Sequence, residues 1–155
     1  MLPSHSADLA PAAPLPAPPV SPEYAPERQL RVSVELTNIC NFTCPFCPQA
    51  FKHAEATPLG APYNRRQGLM SRATFERAIA ECNRVAETVE LGFFGEQTLH
   101  RDYIELVRSL RERRFRLEIS TNVSYVTREM MQAWIDARVD LLRFSLDAVT
   151  PEVFN

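Results

Sequence analysis

Three things are scarce in this chain: net charge, long apolar runs, and cysteines spread along its length. Lys and Arg number 17 against 19 Asp and Glu, leaving −2 at pH 7. That field is too weak to predict a nucleic-acid or membrane partner. No stretch approaches the ~20 apolar residues needed to cross a bilayer. The N-terminus has neither the basic start nor the unbroken apolar stretch of a secretory signal. The four cysteines do not form a disulfide framework, because three of them crowd together at Cys40, Cys44 and Cys47. Thiols kept free for a metal imply a reducing compartment, so a cytoplasmic location is expected.

What is present suits one soluble domain. At 155 residues, 45% hydrophobic and 23% charged, the chain can bury a substantial core. Eight of the 13 prolines precede Glu27, interleaved with alanine. Residues 1–28 are therefore expected to be a disordered or polyproline-like tail, and 29–155 the folded domain.

The chemistry gathers in Glu35–Gln49, which contains Cys40-x3-Cys44-x2-Cys47. Pro45 and Pro48 follow the last two cysteines, push them towards extended backbone and remove two amide donors. A loop pointing three sulfurs at one place follows. Three thiolates suit a soft metal centre. A structural zinc needs a fourth ligand, for which Cys82, His53 and His100 are the candidates and none stands at a ligand-like spacing. A cubane cluster held by three cysteines keeps one iron open, which is a catalytic feature. A redox disulfide is the third alternative.

Alternation over Leu30–Leu36 predicts a strand that runs into the cysteine loop. Residues 49–68 read as a long loop in which Arg65-Arg66 forms a solvated turn. Ser71 caps a helix through about Ala86, with Phe75, Ala78, Ile79, Cys82 and Val85 on its apolar stripe and Cys82 as core. A strand over Val89–Phe94 leads to Gly95-Glu96. Asp102 with Glu105 resembles a capping box opening the next helix, whose stripe is Tyr103, Leu106, Val107 and Leu110. Arg108, Arg111, Arg113 and Arg114 read as its solvated, dipole-matched end. A strand over Phe115–Ser120 ends in Thr121-Asn122, and Thr127 caps a helix carrying Met130, Met131, Trp134 and Ile135. Asp140–Leu146 is the fourth strand, ending at Ser145 and Asp147, and Thr150-Pro151-Glu152 opens another helix. Alternating strands and helices predict an α/β fold with a parallel sheet. The cysteine loop, Gly95-Glu96, Thr121-Asn122, Ser145 and Asp147 all follow strand ends, the rim where such folds build sites.

Cys40, Cys44 and Cys47, with Phe46 before the last, resemble the signature of the radical S-adenosylmethionine (radical SAM) enzymes. Gly68-Leu69-Met70-Ser71 is similar to the peptide-modifying, SPASM-type maturases of that superfamily. The resemblance implies a 4Fe-4S cluster on the three cysteines and S-adenosyl-L-methionine on its open iron. Reductive cleavage to a 5′-deoxyadenosyl radical would then abstract hydrogen from a substrate, with a peptide as candidate. An external donor of flavodoxin or ferredoxin type is also implied. Carried over by position, the cofactor-binding residues are Phe46, Gly95, Glu96, Thr121, Asn122, Ser145 and Asp147. Phe94-Gly95-Glu96 departs from the family's Gly-Gly-Glu at its first residue, and Gln97 stands where proline is usual. The implied fold is a parallel partial (β/α) barrel reduced to about four strands and three helices, the N-terminal portion of a longer enzyme. A structural zinc module using the three cysteines and a histidine, or an inactive fragment of such an enzyme, are the alternatives.

Strand periodicity makes one further expectation. Glu35, Glu90, Glu118 and Arg143 share a phase with the motif residues and should lie on the concave side, paired with opposite charges. Val32, Val34, Leu91, Phe93, Leu117, Ile119, Leu142 and Phe144 should pack on the helices.

Overall fold

The computed structural model describes residues 30–51 and 65–146. The tail, His53, Asp147 and the helix start at Thr150 lie outside the described residues. Four parallel strands form one sheet in the order β1-β2-β3-β4. They are β1 (Leu30–Val34), β2 (Ala86–Leu91), β3 (Arg116–Thr121) and β4 (Leu141–Phe144), joined through helices α1 (Arg72–Val85), α2 (Tyr103–Ser109) and α3 (Arg128–Asp136). Buried residues of all three helices and of β1, β2 and β3 make one apolar cluster. With strands in sequential order, that places the helices together on one face, the winding of a barrel rather than of a sheet covered on both sides.

The local chemistry explains the elements. Ser71 Oγ accepts from the Thr74 amide at 3.1 Å and Thr127 Oγ1 from the Met130 amide at 3.2 Å, so both expected caps form. The capping box at Asp102 does not. Its side chain makes no cap bond, and the Asp102 amide, which the Glu105 side chain would bind in a capping box, is taken by His100 Nδ1 at 3.1 Å. α2 is accordingly short and tightens into a 3-10 turn at Leu110–Glu112. Val89, Leu91, Leu117 and Ile119 are fully buried beneath the helices, each stabilising the fold by about 1.5–3 kcal/mol. Trp134 Nε1 donates to the buried Tyr103 hydroxyl at 2.8 Å and ties α3 to α2. Burial pushes the Tyr103 phenol well above its ordinary range.

Arg113 departs from the solvated role expected of the arginine cluster. Its guanidinium is buried under the end of α3, donating to the carbonyls of Ala137 and Arg138, each at 2.5 Å. It also donates to Asp140 Oδ2 at 2.7 Å. An arginine beyond one helix thus caps the carbonyls of the next.

The opposite face of the sheet is charged, as the strand phase predicts. Register places Ser33 beside Glu90, Glu90 beside Glu118, and Ser120 beside Arg143. Two neighbouring carboxylates would repel, but arginines from the flanking strands hold them. Arg31 pairs with Glu118 and lies 3.6 Å from Glu90. Arg143 reaches Glu90 at 3.4 Å and Glu118 at 2.8 Å. Glu35 lies past the end of β1 and does not join them; it accepts from the Phe94 amide at 3.1 Å and pairs with Arg65. Two of the residues expected to pack on the helices are largely exposed. Phe93 is 64% exposed and Phe144 51%. β2 ends at Leu91, which leaves Phe93 in a loop. Phe144 closes the last described strand on the side of α3, its ring 6.5 Å from that of Trp134 and beside Met131 and Ile135.

Candidate metal and cofactor site

The cysteine loop leaves β1 and is braced from two sides. On one side lies the segment that precedes α1. Thr37 bridges Leu69 in antiparallel fashion, and the Met70 amide donates to Leu36 O at 2.7 Å. The Asn38 carboxamide takes the Gly68 amide at 2.8 Å and donates to Arg66 O at 2.9 Å. Thr37 Oγ1 donates to Gly68 O at 2.9 Å. Gly68-Leu69-Met70 is therefore a strut for the loop. Arg65 is exposed, as expected, but also pairs with Glu35 and lies over the Phe94 ring at 5.9 Å.

The other brace comes from the end of β2. Gln97 is fully buried; its Oε1 accepts from the Leu36 amide at 2.5 Å, and its Nε2 donates to Gly95 O at 2.8 Å and Thr37 O at 3.3 Å. The Glu96 amide donates to Ile39 O at 2.9 Å. Gly95 passes so close that an added Cβ would sit 1.9 Å from Thr37 O, which only glycine tolerates. Gln49 closes the loop from its far end by donating to Asn38 O. Within it, the Cys47 amide donates to Cys44 O at 2.9 Å, a turn that the prolines permit without donating themselves.

Across the mouth stands the end of β3. The buried Glu96 carboxylate accepts from Thr121 Oγ1 at 2.8 Å and the Asn122 amide at 2.7 Å. It also takes the Thr98 hydroxyl at 2.6 Å and the Thr98 amide at 3.2 Å. With four donors it joins the rims of β2 and β3. Asn122 in turn donates to Asn41 Oδ1 at 3.0 Å, on the cysteine loop.

These walls enclose a cavity of about 200 Å³. Cys40, Cys44 and Cys47 line it together with Phe46, Gly95, Glu96, Ser120, Thr121, Asn122 and Ser145. The structure thus brings every described site residue expected from sequence to one hollow, along with Phe42, Phe93 and Phe94. Phe46, 75% exposed, stands at its rim. Sequence reasoning missed Gln97 as a brace, and Asn38, Gln49 and Ser124 altogether. Of these, only Gln97 carried a signal, as a polar residue where the resembled family has proline.

Three thiols at one hollow bear on each of the metals considered. A single zinc would bring three sulfurs within about 3.8 Å of one another, as tetrahedral 2.3 Å bonds require. Among the described residues no three Cys, His, Asp or Glu side chains are grouped to hold one metal ion. A cubane binds each cysteine through a different iron and wants its thiolates farther apart around a hollow. Cys40, Cys44 and Cys47 line one hollow. His100 cannot complete a zinc site, since Nε2 faces Met70 O at 2.9 Å and Nδ1 takes the Asp102 amide. Cys82 is buried in the core on α1, where desolvation raises its thiol above the ordinary range. None of the four cysteines is in a disulfide.

A parallel sheet with its helices on one face, and three thiols and polar strand ends at one rim, defines a (β/α)-barrel-type core built to hold a soft metal cofactor. The chain belongs to the radical SAM superfamily, which it matches over residues 34–154. Members of that superfamily are enzymes that use a 4Fe-4S cluster and S-adenosylmethionine. The tungsten-containing aldehyde ferredoxin oxidoreductase cofactor-modifying protein of Pyrococcus furiosus is 30% identical over 118 residues, 75% of this chain and 30% of that protein. A probable GTP 3′,8-cyclase of Metallosphaera sedula is 32% identical over 130 residues, 84% of this chain and 37% of that protein. The crystal structure of BtrN in complex with AdoMet and 2-DOIA shares the fold, with a TM-score of 0.59 at 22% identity, over 72% of this chain and 43% of that one. The chain spans about a third of the length of the curated relatives it matches. No helix among the described residues is long and apolar enough to cross a membrane.

Proposed function

We propose that this chain carries the cofactor-binding part of an enzyme that cleaves S-adenosylmethionine reductively and abstracts hydrogen from an organic substrate. The observation that carries the reading is the single hollow shared by Cys40, Cys44, Cys47 and the ends of β2 and β3. In it the three thiolates would hold a 4Fe-4S cluster, which supplies the electron for the cleavage when bound. This chain's own residues bind and orient. Gly95 brings backbone close to the cysteine loop, Phe46 offers an aromatic face at the rim, and Thr121, Asn122 and Ser145 present polar groups from the following strand ends. Asp147, in the same stretch as Ser145, is assigned to that wall by resemblance. Glu96 acts as the bolt between walls, its carboxylate being taken up by protein donors.

A peptide is the substrate class supported by the likeness of Gly68-Leu69-Met70-Ser71 to peptide maturases, whereas GTP is named in the cyclase relatives. A cytoplasmic location and a one-electron donor of flavodoxin or ferredoxin type go with thiolates that must stay reduced. The test is anaerobic reconstitution of the full-length enzyme. Iron and sulfide should load, with an electron paramagnetic resonance signal that changes on adding S-adenosylmethionine. Alanine at Cys40, Cys44 or Cys47 should abolish loading, and Cys82→Ala should keep it. Equal iron loss in the Cys82 variant would overturn the ligand assignment. A colourless protein carrying zinc would favour the structural alternative, and one binding neither metal an inactive fragment.

A further inference from the structure

Two hydrogen-bond donors stand beside the Cys40 sulfur. The Phe42 amide points at Cys40 Sγ from 3.4 Å, and Asn122 Nδ2 lies 3.9 Å away, within reach of a large sulfur acceptor. The orientation of the Asn122 carboxamide is fixed by its surroundings. Its Oδ1 accepts from the Ser124 amide at 3.1 Å and the Ser124 hydroxyl at 2.6 Å. An amide N–H can only donate, so the oxygen must face Ser124 and the NH2 must face Asn41 and Cys40. Asn41 Nδ2 donates back to Ser124 Oγ at 2.7 Å. The ring Asn122–Ser124–Asn41 is therefore closed, and Asn122 is anchored beneath by Glu96 through its backbone amide.

We propose that Asn122 is a positioning residue that tunes the reduction potential of the centre through the Cys40 sulfur. The inference rests on the cluster assignment made above. Reduction adds one electron, from an external one-electron donor, and raises the negative charge spread over the thiolate sulfurs. A donor held at Cys40 stabilises that added charge and raises the potential. Asn122 spends its remaining N–H on Asn41, so its carboxamide serves the cysteine loop first. Glu96, Ser124 and Asn41 act through it by keeping the NH2 turned towards the sulfur.

The experiment is a redox titration of the anaerobically reconstituted full-length protein, followed by the resonance signal of the reduced centre. Asn122→Asp keeps the size and the acceptor to Ser124 but removes the donor. Asn122→Ala removes both. At a fixed poise, each should lower the ratio of reduced to oxidised centre by about fivefold or more, about 40 mV at 59 mV per tenfold for one electron. Iron content should match the unsubstituted protein. Unchanged potentials in loaded variants would overturn the inference while leaving the cluster assignment standing. Absence of any cluster in the unsubstituted protein would instead defeat that assignment. Should both variants fail to load, 15N-asparagine labelling of the unsubstituted protein decides. A weak 15N hyperfine coupling to the reduced centre is expected, and its absence overturns the proposal.

Discussion

At the scale of single residues, the site depends on positions that carry no reactive group. Gly95 is the sharpest case. Its α-hydrogen occupies the place where any side chain would meet the Thr37 carbonyl, and backbone cannot step aside cheaply. Gly95→Ala is expected to destabilise the fold by about 1–3 kcal/mol or more, the usual range for overpacking. It should also reduce iron loading, because the clash falls within the cysteine loop. Gly68→Ala serves as the control, since an added Cβ there meets nothing within 4 Å. Thermal midpoints and iron content of the two variants check this. Equal behaviour would show that the close approach does not exist in solution.

At the scale of elements, the junction between α3 and β4 is set by electrostatics. Burial works to raise the Asp140 carboxyl, but the Leu117 amide and the Arg113 guanidinium outweigh it and hold it below the usual carboxylate range. Asp140 thereby docks the start of β4 onto β3 through Leu117 N at 2.8 Å. A lowered folded-state pKa adds stability above the unfolded value of about 3.9, and that stability is lost as pH falls through the folded value. Asp140→Asn should therefore be less stable than the unsubstituted protein at pH 7. The gap between them should narrow as pH falls below about 4. Denaturant midpoints at pH 7, 4 and 3 read this out, and a gap that stays constant would show that Asp140 acts by shape alone.

At the scale of the whole molecule, the charged layer Arg31–Glu90–Glu118–Arg143 links all four strands across the face that carries the site. Ser120 joins that layer to the cavity, donating to Glu90 at 2.6 Å and lining the hollow with the cysteines. Glu118 is buried, so it needs at least one cation. Either arginine alone provides one. The single variants Arg31→Met and Arg143→Met should each cost little, as half-exposed ion pairs do. The double variant should cost about 3–5 kcal/mol, because it strands a buried charge. A double-mutant cycle measures the difference, and simple additivity would mean that Glu118 is solvated after all.

The sequence by itself determined the element types and the phase of each strand. Period-2 and helical patterns are local, and so are the caps at Ser71 and Thr127. It also showed the clustering of the three cysteines, because spacing and prolines act within eight residues. Local expectations shifted where a neighbour intervened: His100 took the Asp102 amide that a capping box leaves to Glu105, and β2 stopped at Leu91 as the chain turned towards the cysteine loop. Only the tertiary structure decided that Arg113 caps a different helix and that Arg65 serves Glu35. It likewise assigned Gln97, Asn38 and Gln49 to hold the loop rather than to line a surface. Those roles depend on partners 11 to 61 residues away. A buried amide or guanidinium has no periodic signature of its own. It is placed by whichever backbone donor or carbonyl folding leaves unsatisfied beside it, and that is fixed only when the strands align.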